Sequence, residues 1–154
     1  MGFGLFATRR FTKGDFIAEY TGEKVANAIA DKMPGRYLFE LDDQWTIDGS
    51  PRSNTARYIN HSCDPNCDAD VYDGHILIHA MRDIESGEEL LYDYGDEYFE
   101  EFIRKVGCKC KKCTTGWVRP KDHATVLYEL TPLGTSDKDA REENERSTKD
   151  DLND

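Results

Sequence analysis

Five cysteines fall in two tight clusters, and this distribution constrains the fold more than any other feature of the sequence. The first cluster holds Cys63 and Cys67, and the second holds Cys108, Cys110 and Cys113. A disulfide scaffold usually shows an even number of cysteines spread along a secreted chain. Five clustered cysteines fit four zinc thiolates and one spare thiol in a reducing compartment, so the pattern strongly favours metal over disulfides.

Length and composition indicate a soluble chain of about one domain with a surface rich in charge. The chain has 154 residues, 38% of them hydrophobic, and a formal net charge of -11 from 31 acidic and 20 basic residues. Such a negative field disfavours duplex DNA and anionic lipid as the main ligand. It suits a cationic partner such as a lysine-rich peptide, although acidity can also serve solubility alone.

Neither a membrane span nor a secretory signal is visible in the sequence. The longest apolar runs, such as Ile76–Ile78, are far shorter than the roughly 20 residues that cross a bilayer. The N-terminus lacks a basic segment followed by an apolar one. We therefore expect an intracellular protein with no membrane partner.

Short β-type runs alternate with turn signals up to about Trp117, which predicts a mainly β fold with short helices. The clearest signal is a hairpin in which Asp73-Gly74 joins the strands Ala69–Tyr72 and His75–Ala80. Further strand candidates are Phe16–Tyr20, Tyr37–Leu41, Trp45–Asp48 and Leu90–Tyr92. The helix candidates are Glu23–Met33, which Pro34-Gly35 ends, and Glu97–Val106, which carries an apolar face.

The sequence after Trp117 loses this pattern. Val126–Leu130 could form one more strand or an extended packing segment. From Thr135 onward almost every residue is charged or polar, so this part cannot bury enough surface to offset its ordering entropy. We expect it to be disordered, with an isolated surface helix as the alternative.

Three stretches concentrate the residue types that carry chemistry. Met1–Ala7 holds two glycines that let the backbone approach a ligand, but it lacks the third glycine of a dinucleotide fingerprint. Arg57–Asn66 crowds polar and aromatic side chains into a turn, which favours a ligand site over a plain loop. In Gly87–Gly95, the phenols of Tyr92 and Tyr94 share one face of a strand, where they could line a channel or pack in the core.

These stretches resemble the SET-domain protein lysine methyltransferases in their order and spacing. The resemblance is carried by Gly2–Ala7, Glu19–Glu23, Tyr37–Leu41, Asn60–Asn66 and Glu88–Gly95. The second cysteine cluster resembles the post-SET zinc segment of that family. The resemblance covers residues 1 to about 117 and implies a SET fold of small β-sheets with a knot-like C-terminal threading.

The resemblance and the composition together divide the chain into four parts. We expect a SET domain over residues 1–106 and a post-SET zinc segment over residues 107–118. A C-terminal extension over residues 119–134 and a disordered acidic tail over residues 135–154 follow.

The resemblance implies S-adenosylmethionine (SAM) as the cofactor. SAM and the substrate lysine would enter from opposite faces and meet through a narrow channel. The residues that would contact SAM are Met1, Gly2, Phe3, Gly4, Tyr37, Asn60, His61, Tyr94 and Trp117. Trp117 would cover the adenine.

The resemblance also implies a catalytic channel of tyrosines. Tyr94 matches the family's catalytic tyrosine, Tyr20 would form another wall, and Tyr92 stands where the family carries Phe or Tyr. Methyl transfer needs a neutral amine, yet only about a thousandth of lysine is neutral near roughly pH 7.4. An aromatic channel helps because burial disfavours the ammonium form. A tyrosine at position 92 implies mainly mono- or dimethyllysine as product.

The metal implied by the resemblance is a structural zinc ion. Its ligands would be Cys63, Cys108, Cys110 and Cys113, which form a closed thiolate site. Such a site would tie the C-terminal segment over the active site. Cys67 is then either a free thiol near the site or a substitute ligand.

The sequence therefore predicts a SAM-dependent protein-lysine N-methyltransferase that acts on a basic protein or a histone-like tail. A histone substrate would place it in the nucleus or on the chromosome, and another substrate in the cytoplasm. One alternative is a catalytically silent SET-like module that binds a peptide, against which the retained tyrosines argue. A second is a zinc-organised interaction domain, which would leave the tyrosine motif unexplained.

Overall fold

Three small β-sheets form the framework of the computed structural model, which describes residues 3–119. The first sheet has the order β1 (Phe16–Tyr20), β7 (His75–Ala80), β6 (Cys67–Tyr72), and the second has the order β2 (Glu23–Ala26), β4 (Trp45–Asp48), β3 (Leu38–Glu40). Strands in both sheets pair antiparallel, whereas β5 (Asn60–His61) pairs parallel with β8 (Leu91–Tyr92). The predicted mainly β fold is confirmed, and the threading of the C-terminal part stays a prediction.

The helical segments between the strands are single turns. They are α1 (Asn27–Ala30), a 3-10 turn (Thr55–Tyr58), α2 (Asp96–Tyr98), a π-helical turn (Phe99–Ile103) and α3 (Lys111–Thr114). The predicted helix Glu97–Val106 corresponds to α2 and the π-helical turn, in which Phe99 is buried and the glutamates face outward.

The predicted helix Glu23–Met33 is wrong over its first four residues. These residues form β2, which pairs with β4 along its whole length. Only the single turn α1 that follows is helical. Pairing with a strand that lies about twenty residues further along the chain therefore outweighs the helical spacing of the apolar residues.

The predicted hairpin is confirmed and begins two residues earlier than expected. Tyr72 lies opposite His75, and the two turn residues between them have positive φ angles of 48° at Asp73 and 77° at Gly74. This mirror-image turn matches the right-handed twist of the strands it joins. The inward side chains of β7 include Ile76 and Ile78, which are fully buried in the core.

The N-terminal segment lies against the residues that lead into β8. The amide of Ala7 donates to the carbonyl of Glu88 at 2.8 Å, and the amide of Leu90 donates to the carbonyl of Leu5 at 2.8 Å. Asn66 fixes the same region from the other side, because its buried side chain donates to the Glu89 carbonyl and accepts from the Leu91 amide. The glycine-containing start of the chain therefore lies beside β8.

Two other predictions fall outside the described residues. These are the possible strand Val126–Leu130 and the acidic tail from Thr135, together with the part of the predicted extension that follows Arg119. Within residues 3–119, no helix combines the length and the apolar character needed to cross a membrane.

Candidate active site and metal centre

A cavity of about 1150 Å³ opens where the ends of β1, β3, β5 and β8 meet. Six of the predicted site residues line it, namely Phe3, Tyr20, Tyr37, Asn60, Tyr92 and Tyr94. Further aromatic walls come from Phe39, Tyr58, Tyr98 and Phe102. The structure therefore brings together, in one cavity, the tyrosines that the sequence singled out.

The hydroxyl groups of two tyrosines are held by backbone carbonyls. Tyr20 donates to the carbonyl of Tyr37 at 2.8 Å, and Tyr94 donates to the carbonyl of Ile59 at 2.6 Å. The rings of Tyr92 and Tyr94 lie 4.8 Å apart, and Tyr92 is buried. The hydrogen bonds define the direction of the Tyr20 and Tyr94 hydroxyls, and packing holds the ring of Tyr92.

Burial keeps these phenols neutral. Desolvation raises the pKa of Tyr20, Tyr92 and Tyr94 above the ordinary tyrosine value, and neighbouring phenols raise it further. Phenols in this state act as hydrogen-bond donors and apolar walls near neutral pH, and not as bases. The cavity therefore presents hydroxyl groups and aromatic faces to whatever enters it.

Asn60, at the start of β5, anchors the N-terminal segment. Its side-chain amide donates to the carbonyl of Phe3 at 3.0 Å and to a carboxylate oxygen of Glu89 at 2.9 Å. A Cβ atom at Gly4 would lie 2.6 Å from the same Glu89 oxygen, so a larger residue there would require the Glu89 side chain to move away from Asn60. Met1 and Gly2 lie outside the described residues.

His61 lies between the tyrosine cavity and the cysteines. The backbone amide of Tyr94 donates to its Nδ1 at 3.2 Å, so a neutral ring carries its proton on Nε2, which lies 3.3 Å from the sulfur of Cys63. Desolvation lowers the pKa of His61, although Asp93 opposes part of that shift. A neutral imidazole thus links the two sites.

Four cysteines converge, although the two clusters lie far apart in the sequence. The sulfur atoms of Cys63, Cys108, Cys110 and Cys113 all lie within 4.8 Å of one another. Tetrahedral zinc with Zn–S bonds of ~2.3 Å requires sulfur atoms about 3.8 Å apart. The separations of Cys63 from Cys108 and Cys113 are 4.0 and 3.7 Å. The donor set and its spacing therefore fit zinc.

Cys67 does not belong to this group. It is fully buried at the start of β6, where its thiol donates to the side-chain oxygen of Asn66 at 3.3 Å. Burial raises the pKa of this thiol to about 11. The geometry therefore favours the four predicted ligands over any set that includes Cys67.

Trp117 does not line the cavity. Its ring is partly exposed and lies under the ammonium group of Lys112, with Nζ 4.3 Å from the ring centroid. Its predicted contact with the adenine of SAM stays a prediction. The segment that carries Trp117 is nevertheless held near the site through the neighbouring cysteines.

Sequence reasoning missed two polar residues of the site. Arg119 is almost buried and places its guanidinium on both carboxylate oxygens of Asp93, at 3.0 and 2.8 Å. Although desolvation would lower the pKa of Arg119, its hydrogen bonds with carboxylates raise it above the ordinary value. Glu89, the partner of Asn60, lies within the motif Glu88–Gly95 with no signal of this contact. Neither role has a local sequence signal, since each depends on a contact between distant residues.

Comparison with known proteins places these features in a family. A family model described as SET domain matches residues 2–95. The chain is 40% identical over 126 residues to Histone-lysine N-methyltransferase trithorax of Drosophila virilis, which covers 73% of this chain. It is 41% identical over 120 residues to Histone-lysine N-methyltransferase, H3 lysine-4 specific, of Aspergillus oryzae, which covers 70% of this chain.

A plant relative is equally similar. Histone-lysine N-methyltransferase ATX2 of Arabidopsis thaliana is 40% identical over 123 residues, which cover 71% of this chain. The matched regions span only 3% of the Drosophila protein, 10% of the Aspergillus protein and 11% of the Arabidopsis protein. The match of the family model to most of the described residues, with the tyrosine cavity and the cysteine cluster, leads to one conclusion. The chain belongs to the SET-domain family.

Proposed function

We propose that this chain is the methyl-transferring domain of a protein-lysine N-methyltransferase with SAM as the methyl donor. The observation that carries this proposal is the convergence of Tyr20, Tyr92 and Tyr94 on one cavity. The relatives named as histone-lysine N-methyltransferases support the same reaction class. A silent peptide-binding module would not require phenol groups that are fixed in direction by backbone carbonyls.

The charge of the cavity rim supports a basic peptide as the substrate. Four exposed carboxylates line the cavity, from Asp31, Glu40, Glu97 and Glu101. Three arginines line it as well, but the guanidinium of Arg57 is turned onto the ring of Tyr37 at 4.0 Å. The acidic charge of the whole chain adds to the attraction for a cationic tail.

Among basic proteins, we propose a histone tail as the first candidate substrate. The fungal relatives carry H3 lysine-4 specific in their names, which makes a tail of that type the first peptide to test. A histone substrate would place the chain at chromatin.

The glycine end of the cavity supports SAM as the ligand on that side. Phe3 and Asn60 line this end of the cavity, and the Asn60 amide holds the Phe3 carbonyl next to Gly4, so the backbone of the glycine segment borders the cavity as a cofactor cradle requires. We propose that Phe3, Gly4, Tyr37, Asn60 and His61 hold SAM, with Met1, Gly2, Tyr94 and Trp117 as further contacts. When bound, SAM supplies an electrophilic methyl group on a sulfonium.

The chain's own contribution is to desolvate and align the lysine amine. The stem of the lysine would pass between the rings of Tyr20, Tyr92 and Tyr94, where burial favours the neutral amine after its proton leaves to water. The hydroxyl of Tyr94, fixed by the Ile59 carbonyl, would stand at the reacting end of the channel. Holding the amine in one direction raises the rate further, because the amine is then aligned with the methyl group that it receives.

The cysteine cluster would act as a structural site. Four thiolates close the coordination sphere of zinc and leave no position for water or substrate. We propose that Cys63, Cys108, Cys110 and Cys113 bind one zinc ion, which attaches residues 108–113 to the turn that follows β5.

The reaction itself is the decisive test. The full chain is incubated with isotopically labelled SAM and an array of histone-tail peptides, each containing one lysine, with a matched peptide in which arginine replaces that lysine. We expect label on a lysine peptide and none on its arginine counterpart. A lysine peptide that binds without gaining label would instead favour the silent module.

A further inference from the structure

Arg119 is the most deeply buried charged side chain that the proposed reaction leaves unexplained. Its side chain is only 8% exposed. The guanidinium contacts Asp93 with two hydrogen bonds, contacts Asp96 with Nε at 3.1 Å, and lies 4.8 Å from the ring centroid of Phe99.

The two carboxylates lie on either side of a glycine with a positive φ angle. Between Asp93 and Asp96 stand Tyr94 and Gly95, and Gly95 adopts a φ of 88° that few other residues tolerate. The Gly95 amide donates to Asp93 at 3.0 Å. Arg119 therefore bridges a glycine turn that begins at the proposed catalytic tyrosine.

The chemistry of arginine suits this bridge. A guanidinium presents several donors in one rigid plane, so it can hold two carboxylates at a fixed separation, whereas a lysine ammonium acts as a point charge. A buried cation needs such partners because taking it out of water is costly, and removing either side leaves an uncompensated charge. The bridge therefore resists changes in the shape of the turn.

Arg119 also differs from the cysteines in what it holds. The cysteine cluster attaches residues 108–113 to Cys63, at the turn after β5. Arg119, which follows this segment in the chain, contacts Asp93, and Asp93 lies between Tyr92 and Tyr94 in the sequence. The guanidinium also hydrogen-bonds Cys63, so the two attachments are neighbours. Of the two, it is Arg119 that contacts the residue between Tyr92, which ends β8, and Tyr94.

We propose that Arg119 is a positioning residue for methyl transfer: by bridging Asp93 and Asp96 across Gly95, it sets the place of the Tyr94 phenol in the channel. This inference rests on the proposed function. It predicts that loss of the bridge lowers the rate of the chemical step more than it weakens the binding of SAM or peptide.

The test compares Arg119→Gln and Arg119→Lys with a matched surface variant. Arg10 also bridges two carboxylates, with contacts of 3.0 Å to Asp83 and 3.3 Å to Glu85, but it is 62% exposed and does not line the cavity. Arg10→Gln therefore controls for the loss of an arginine that holds two carboxylates. For each variant, kcat, the KM for peptide, the Kd for SAM and the zinc content are measured.

We expect Arg119→Gln to lower kcat by about tenfold to a hundredfold, since displacing a catalytic group by about 1 Å can cost that much. KM, SAM affinity and zinc content should stay close to those of the wild type. Arg119→Lys should recover part of the rate, because it keeps the charge and loses the planar bridge. Arg10→Gln should match the wild type in all four measurements.

Three results would overturn the inference. The first is a kcat for Arg119→Gln no lower than that of Arg10→Gln, which would leave the proposed function standing. The second is a loss of activity in proportion to lost zinc, which would reduce Arg119 to an attachment of the metal segment. The third is a wild-type chain that transfers no methyl group, in which case the proposed function fails as well. If Arg119→Gln does not fold, the test uses Arg119→Lys and Asp96→Asn instead. A kcat equal to that of the wild type in both variants would contradict the role of the bridge.

Discussion

The tyrosine cavity and the cysteine cluster are neighbours, but different forces hold them together. The phenols of Tyr20 and Tyr94 are fixed by backbone carbonyls, and Tyr92 is packed within the hydrophobic core. The cysteines, by contrast, are only partly buried and have chiefly one another as partners. The cavity is therefore a product of the fold, whereas the cluster would be held by the proposed zinc ion.

The difference follows from charge. Neutral phenols can share a small volume because their hydroxyl groups find acceptors in the protein. Four thiolates within 4.8 Å repel one another unless a cation lies between them. Removal of the proposed metal should therefore disorder the cluster and leave the packing of the tyrosine rings in place.

Removal of the proposed metal should have the largest effect, and it should reach the cofactor site only through the segment that carries Trp117. Structural zinc binds with an apparent free energy of about 10–16 kcal/mol in small domains, so its loss should release residues 108–119. We expect about one zinc per chain by elemental analysis, and a large loss of thermal stability and SAM affinity in Cys110→Ser.

The matched control for this experiment is Cys67→Ser, because Cys67 is buried outside the cluster. It should keep its zinc while losing some core stability. Hydrogen exchange should show faster exchange over residues 108–119 in Cys110→Ser and unchanged protection in β6 and β7. Protein prepared without chelator that holds no zinc would contradict the assignment of the cluster.

Tyr94→Phe should have the next largest effect, and it should leave the metal in place. The variant loses only the hydroxyl that donates to the Ile59 carbonyl, while the ring still fills its space. Removing one preorganised donor typically costs about 10²–10³ in kcat. We therefore expect near-complete loss of methyl transfer with normal zinc content and SAM binding.

Tyr72→Phe serves as the control, since Tyr72 is exposed at the hairpin end and should tolerate loss of its hydroxyl. If Tyr94→Phe turns over near the wild-type rate, Tyr94 is a packing residue and the catalytic assignment is wrong. Comparison of Tyr94→Phe with Cys110→Ser separates loss of the methyl-transfer step from detachment of residues 108–119.

Tyr92→Phe should change the product more than the rate. The Tyr92 hydroxyl can hold the amine or a water beside it, and it occupies room that an added methyl group needs. A lost hydrogen bond of this kind costs on the order of 1 kcal/mol, which shifts partitioning about fivefold. We expect mono- or dimethyllysine from the wild type and a higher methylation state from the variant.

Mass spectrometry of a peptide reacted to completion with excess SAM measures this distribution. Mainly trimethyllysine from the unmodified enzyme would refute the role of Tyr92 in product choice. It would leave the methyltransferase assignment intact, because the remaining channel is unaffected.

The surface pair of His75 and Glu19 should make the smallest contribution to stability. It serves as a reference for the tyrosine cavity and the cysteine cluster. His75 lies 2.7 Å from Glu19 on β1, and this hydrogen bond raises the pKa of His75 above its ordinary value of 6.5. The pair therefore stabilises the fold fully below pH 6.5, and this contribution is lost as pH rises through the raised pKa. We expect Glu19→Gln to return the His75 pKa towards 6.5 in an NMR titration.

Asp70→Asn is the control for this titration, because Asp70 approaches His79 and leaves the Glu19–His75 pair in place. It should not alter the His75 titration. An unchanged His75 pKa in Glu19→Gln would show that the pair does not persist in solution.

Local chemistry explains which elements the sequence could predict. The hairpin at Asp73-Gly74 was predictable because its turn depends on two adjacent residues. The strand β2 was not, because its pairing with β4 is decided by residues elsewhere in the chain. Apolar spacing alone suggested a helix there, and the nonlocal hydrogen bonds overrode it.

The site divides in the same way. The tyrosines could be predicted because they stand in motifs whose order matches a known family. Two features could be found only from the three-dimensional structure. Cys67 is buried in the core, and Arg119 contacts Asp93. A contact between two charges far apart in sequence leaves no periodic pattern and no turn signal, so sequence reasoning had no means to find it.

The parallel pair of β5 and β8 has a consequence for the order in which the chain folds. Asn60 pairs with Leu91, so the long intervening segment must form a closed loop before the pair gains its hydrogen bonds. Each doubling of loop length costs roughly 0.6 kcal/mol in closure entropy. The hairpin β6–β7 lies inside this loop and can form first, which shortens the flexible chain that remains. We therefore expect the hairpin to nucleate folding, and β5 to pair with β8 only after the chain has been synthesised past Tyr92.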